Sequence, residues 1–152
     1  MRHQVAPAKS REGENLKHYI SLPISRIPQF LAEAGAAIAA HDPSLRPIAF
    51  GHVGDGNLHY NISPHRGADA QAYAAFRAGE KQLSALVYAV VARLNGSISA
   101  EHGIGALKMG DNARYKAPLE LQLMAAVKQA LDPRGLLNPG RVFPQAPAPS
   151  QP

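Results

Sequence analysis

The stretch Phe50-Gly-His-Val-Gly-Asp-Gly-Asn-Leu-His-Tyr-Asn61 constrains the fold more than any other part of the chain. Asp55-Gly56 is a strong signal for a two-residue type I′ hairpin turn, whose central residues both need positive φ. The flanking residues alternate as strands do. Pro47 to Val53 reads as one strand and Leu58 to Ser63 as the next. With Asp55-Gly56 as the turn, Gly54 faces Asn57, Val53 faces Leu58 and His52 faces His59. Directly opposed residues point to one side, with Cβ atoms roughly 4.5–5.5 Å apart. Two imidazoles that close can chelate one divalent metal. Alternation puts Asn61 on the same side, and Val53, Leu58, Tyr60 and Ile62 on the other, which reads as core. A surface pair of histidines would give the same pattern. A glycine-rich turn can also cradle phosphate. Asp55 opposes that reading with its negative charge, and no Gly-Lys-Ser/Thr ending follows.

Elsewhere the pattern mixes strand and helix. Leu16 to Leu22 reads as a strand ended by Pro23. Ser25 is the expected N-cap of a helix running to about His41, with Ile27, Phe30, Leu31, Ala34 and Ile38 on one face. A long helix is expected from about Asp69 to Leu94. Its apolar face carries Tyr73, Phe76, Leu83, Leu86, Val87, Val90 and Leu94, and Gly96 of Asn95-Gly96 can take the left-handed cap. Ser97 to Ala100 reads as a short extended piece. Pro118 suits the first turn of a last helix, to about Leu131, with Leu121, Met124, Val127 and Leu131 inward. These elements do not alternate regularly. The expected fold class is therefore α+β: an antiparallel sheet with packed helices, then a C-terminal helical segment. One domain is expected over residues 1–144, with a disordered tail over residues 145–152.

The chain has no cysteine, so a metal site must use His, Asp, Glu or backbone oxygen, and seven histidines are available. A formal charge of +5 allows an anionic partner. The cations are scattered, which argues against nucleic acid, whereas a small anionic substrate needs only one or two of them. No apolar run is long enough for a membrane span. The polar opening MRHQVAPAKSREGE is not a secretory signal and is what a piece of a longer protein would show.

A second constellation is Ser99-Ala-Glu-His-Gly-Ile-Gly105. Glu101 would complete a His-His-carboxylate set with an open position for a substrate oxygen or water. Neighbouring side chains in an extended segment diverge, so His102 can point elsewhere and act as a general base. Gly103 and Gly105 permit close backbone approach to something flat or bulky. On its own, Glu-His is a weak signal.

Taken in order and spacing, HVGDGNLHYN, SAEHGIG and LDPRGLLNPGRVFP resemble the C-terminal domain of FAD-linked oxidases, as does KHYISLPIS near the start. That family includes D-lactate and D-2-hydroxyglutarate dehydrogenases and the flavin-binding subunit of glycolate oxidase, within the vanillyl-alcohol oxidase superfamily. The resemblance runs from about Arg2 to Pro144. It implies a ferredoxin-like substrate (cap) domain, with His52, His59 and Glu101 holding zinc or a similar divalent metal and His102 as catalytic base. It also implies Arg2, Lys17 and Asn61 at the substrate and Asn138 near the flavin ring. The implied reaction oxidises a D-2-hydroxyacid: His102 takes the proton of the metal-bound hydroxyl while hydride passes from the α-carbon to FAD.

The sequence departs from the family at two positions and in extent. Tyr19 stands where the family usually has Asp, and Ala6 where 2-hydroxyglutarate enzymes carry a hydroxyl, which bears on specificity for a dicarboxylate. The domain that holds most of the FAD would precede Arg2, so it is the expected partner, and the isolated chain is expected to be inactive. A homodimer and a cytoplasmic location, peripheral to a membrane through an electron acceptor, are further expectations. Two other functions remain open at this level: a stand-alone His-His-Glu metal hydrolase and a non-catalytic dimerisation domain. His3, His18, His41 and His65 sit in polar contexts and are assigned no role. Without the resemblance Lys17 reads as an exposed strand residue, and Lys108, which could meet a phosphate or an acid, reads as a solvated lysine.

Overall fold

The computed structural model describes residues 13–143. They fall into two compact units, one ending at Glu101 and the other beginning at His102. Arg2 and the tail expected to be disordered lie outside the described residues.

The first unit contains β1 (Leu16–Ser21), α1 (Ile27–His41), β2 (Arg46–His52), β3 (Asn57–Ser63) and α2 (Ala70–Arg93). The sheet order is β1-β3-β2, antiparallel throughout. The antiparallel α+β architecture matches the sequence reading. Central β3 is buried at every position except His59, which is half-buried. Its back face, with that of β1, presents His18, Ile20, Leu58, Tyr60 and Ile62 to the helices, and all five are buried. Phe30 of α1 meets the Tyr60 ring edge-on at 5.1 Å. Burial pushes the Tyr60 phenol up to about 12, since a charged oxygen would lose its hydration there.

His18 has a core role that polar sequence context concealed. Its Nδ1 lies 2.9 Å from the Tyr60 carbonyl, its Nε2 lies 3.2 Å from Ser84 Oγ on α2, and its ring meets Tyr88 edge-on. A carbonyl can only accept, so Nδ1 carries the hydrogen and Nε2 accepts from the serine hydroxyl.

Helix α1 buries Ile27, Phe30, Ala34 and Ile38, as its periodicity requires, while Leu31 is largely exposed. Ser25 does not cap it. That residue sits in a 3₁₀ turn (Ile24–Arg26), and Pro28 occupies the first helical turn. Helix α2 is capped by Asp69, whose carboxylate accepts from the Ala72 amide at 2.8 Å. At its other end Asn95, rather than Gly96, is left-handed, with φ 58°. Gly96 is needed for close approach instead. A Cβ there would lie 2.5 Å from the Ser21 carbonyl oxygen and under 3 Å from Leu22 and Val91.

That close approach lets the chain continue along β1. Ser97 and Ser21 exchange two backbone hydrogen bonds of 2.8 and 3.0 Å, and the Ala100 amide donates to the Tyr19 carbonyl at 3.1 Å. The extended piece expected at Ser97 to Ala100 thus lies on the outer edge of the sheet.

The second unit contains α3 (Met109–Tyr115) and α4 (Pro118–Leu131). The sequence reading did not find α3. Helix α4 starts at Pro118 as expected, but none of its residues is buried. Leu121 and Met124 are half-buried, and Val127 and Leu131 are exposed, so its apolar face is not the core face expected. The DPRG stop is built on Asp132, which accepts from the Leu136 and Leu137 amides, both at 2.9 Å, and pairs with Lys128. The Lys128 hydrogen bond, with those amides, holds the Asp132 carboxyl below the usual carboxylate range.

Among the described residues, no helix is long and apolar enough to cross a membrane.

Candidate functional site

The sheet face away from α1 and α2 has three rungs. Ser21, Asn57 and His52 form the first, Tyr19, His59 and Phe50 the second, and Lys17, Asn61 and Ile48 the third. His52 and His59 share this face, as the alternation requires, but they are not directly opposed. His52 pairs with Asn57, and His59 with Phe50. The turn explains the difference. Val53–Asp55 form a 3₁₀ turn, and only Gly56 is left-handed, with φ 76°. The Asp55 carboxylate bonds forward to the Asn57 amide at 3.1 Å, which closes the loop without placing Asp55 at positive φ. Leu22 anchors it by donating to the Gly56 carbonyl at 3.0 Å. Val53 leaves the ladder and is exposed instead of core. The register moves by two residues, so each side chain keeps its face.

The two histidine rings are diagonal neighbours, 6.5 Å apart between centroids and nearly perpendicular. Phe50 stacks on His59 at 4.9 Å, and Tyr19 meets it edge-on at 4.8 Å. Phe50 did not enter the sequence-based site, although alternation from His52 places it on this face, and Tyr19 entered only as a departure from the family pattern. His52 is exposed.

Glu101 follows the segment hydrogen-bonded along β1, and its carboxylate reaches the front face. Its Oε1 lies 3.8 Å from His52 Nδ1 and 3.7 Å from His59 Nε2. The Asn57 amide nitrogen donates to the same oxygen. Asn57 was missed because the expected register set it opposite Gly54. Buried on the same strand are the Asn57 and Asn61 Oδ1 atoms, neither with a hydrogen-bond partner among the described residues.

Two imidazole nitrogens and a carboxylate oxygen suit a divalent ion of the zinc type. Four-coordinate ligands at about 2.0–2.2 Å from zinc stand roughly 3.3–3.5 Å apart, and the two nitrogen–oxygen separations exceed this by a few tenths of an ångström. Among the described residues, no group of three or more His, Asp or Glu side chains is placed to hold a metal ion. The donors match such an ion in kind and share one face, but to hold one they would have to move closer together.

The remaining expected site residues are placed separately. Lys17 is exposed on β1 opposite Asn61, which is buried. His102 is exposed and opens the second unit. Asn138 is exposed in that unit at φ 49°. Gly103 and Gly105 have φ of 70° and 58°, and a Cβ on either would meet no atom of the described residues within 4 Å, so within this chain their positive φ is what calls for glycine. Burial pushes the Lys108 ammonium down, opposed by the Asp111 charge.

The family described as FAD linked oxidases, C-terminal domain, matches residues 1–142. The chain belongs to this family. It is 39% identical over 127 residues to a D-2-hydroxyglutarate dehydrogenase of Stutzerimonas stutzeri, covering 84% of this chain and 27% of that protein. It is 41% identical over 134 residues to one from Xanthomonas citri, covering 88% and 28%. With the mitochondrial D-2-hydroxyglutarate dehydrogenase of Rattus norvegicus it is 34% identical over 144 residues, covering 95% and 25%. The chain thus spans about a quarter of the length of these relatives. Family membership agrees with the resemblance read from HVGDGNLHYN, SAEHGIG and LDPRGLLNPGRVFP.

Proposed function

We propose that this chain is the substrate-side portion of an FAD-dependent dehydrogenase that oxidises a D-2-hydroxyacid, with His52, His59 and Glu101 as ligands of a divalent metal. The observation that carries the reading is the meeting of both imidazoles with one Glu101 oxygen on a single sheet face. Relatives named for D-2-hydroxyglutarate point to a dicarboxylate; Tyr19 and Ala6 are where this chain would differ in how it receives one. When bound, the divalent ion supplies Lewis-acid polarisation of the substrate hydroxyl, and FAD supplies the two-electron acceptor.

The chain's own residues do the rest. Lys17 offers a charge to a substrate carboxylate, Arg2 a second, and Asn61 a carboxamide to a neighbouring oxygen. His102 accepts the hydroxyl proton as the α-carbon gives up its hydride, leaving a 2-oxoacid. Asn138 would contact the flavin. Most of the flavin is held by another domain of the parent protein. The exposed series Leu119, Leu123, Val127 and Leu131 on α4 favours such a partner, since apolar residues four apart form one helical stripe.

The reading is tested by joining the chain to the flavin-binding domain of a bacterial relative. D-2-hydroxyacid-driven dye reduction is expected, falling on chelation and returning with Zn²⁺, and the chain alone should be inactive. Reduction indifferent to chelation would remove the metal. A flavin-loaded protein that ignores 2-hydroxyacids, beside ester hydrolysis by the chain alone, would favour the metal hydrolase.

A further inference from the structure

Asn57 opens β3, between Ser21 of β1 and His52 of β2, and is only 8% exposed. Its side-chain nitrogen donates to Glu101 Oε1, the oxygen nearest both imidazoles. Its Oδ1 is buried without a hydrogen-bond partner among the described residues. The amide orientation follows from chemistry. Rotated by half a turn, it would set Oδ1 against Oε1, two acceptors facing each other. One end of this carboxamide is therefore committed to Glu101, while the other is buried at a cost to the fold. An apolar side chain of similar size would serve burial better. What an apolar side chain cannot do is fix a carboxylate.

We propose that Asn57 is a positioning residue. It holds the Glu101 carboxylate between His52 and His59, so that three donors from β2, β3 and the segment beside β1 present one geometry to a divalent cation. This rests on the reading of those three residues as ligands. Glu101 follows a segment whose backbone is hydrogen-bonded to β1. Its side chain has several rotatable bonds, and the Asn57 donor on the central strand restrains them. Hydrogen-bond partners of metal-ligating carboxylates act in this way, and losing one typically weakens metal binding about 10–100-fold.

The test uses the full 152-residue chain with three measurements: Zn²⁺ affinity by competition with a chromogenic chelator, the visible spectrum of the Co²⁺ form, and melting of the metal-free protein. Asn57→Leu is expected to weaken Zn²⁺ roughly 10–100-fold and to alter the Co²⁺ spectrum. Its metal-free melting temperature should hold or rise, because the orphaned oxygen is gone. Opposite signs in affinity and stability are the signature of positioning. If Asn57→Leu does not fold, Asn57→Ser, whose hydroxyl is too short to reach Glu101, takes its place in the two metal measurements. Wild-type affinity and an unchanged spectrum would overturn the proposal. So would an affinity loss matched by a fall in metal-free melting temperature, which would make Asn57 a strut of the fold. His59→Ala separates the two levels. If it binds Zn²⁺ as wild type does, the ligand reading itself fails, and the role of Asn57 with it.

Discussion

Phe50 and Tyr19 grip the His59 ring from its face and its edge, while His52, on the next rung of the same face, stays exposed. One imidazole is thus set by packing, and the other is exposed to solvent. Lys17 stands on the same face, opposite Asn61. Its side chain is exposed, so its replacement should leave the fold intact. Lys17→Ala is expected to raise KM for a 2-hydroxyacid roughly 10–100-fold, the loss of one charge-assisted hydrogen bond, with kcat nearly unchanged because that bond exists in ground and transition states alike. Steady-state kinetics of the flavin-joined protein would show it, and a fall in kcat at constant KM would move Lys17 out of the carboxylate role. At this scale strand alternation placed His52 and His59 on one face, whereas Glu101 came from the Ser99–Gly105 motif and the family resemblance rather than from spacing. Asn57 was hidden, since whether it faces Gly54 or His52 depends on a turn conformation that Asp-Gly does not decide alone.

The hairpin shows where reading by element succeeds and where it stops. Its strands and the face of each residue came from alternation, which survives a two-residue register shift. The register came from the Asp55 bond to the Asn57 amide and the Leu22 bond to the Gly56 carbonyl. The second of these joins residues far apart in sequence, so no local pattern reveals it. The segment after α2 is the other element on which the site depends. Glu101 reaches the front face because Ser97 to Ala100 lie along β1, and they lie there because Gly96 has no side chain. Gly96→Ala would set a methyl 2.5 Å from a backbone oxygen. Overpacking of that kind costs about 1–3 kcal/mol, and relief would come by moving the segment off β1. The expected result is a lower melting temperature together with weaker Zn²⁺ binding. A variant that melts and binds as wild type would show that the close approach does not position Glu101.

The described residues form a sheet-and-helix unit with a well-buried core and a second unit whose longest helix has no fully buried residue. Periodicity located α4 to the residue, yet gave its apolar stripe the wrong environment. A stripe states only that a face wants cover, not whether the cover lies within the same chain. Under the proposed function, that stripe would pack against the flavin-binding domain of the parent protein. The central claim is that His102 takes the substrate's proton during transfer of hydride to flavin. Its most direct test is the rate of flavin bleaching in a single turnover with a D-2-hydroxyacid, comparing the flavin-joined protein with its His102→Ala variant. Loss of a general base should slow bleaching by about 10²–10⁴, with bound flavin at its normal level. Bleaching at the wild-type rate in His102→Ala, with flavin lost from the protein, would make His102 a cofactor contact and contradict the account.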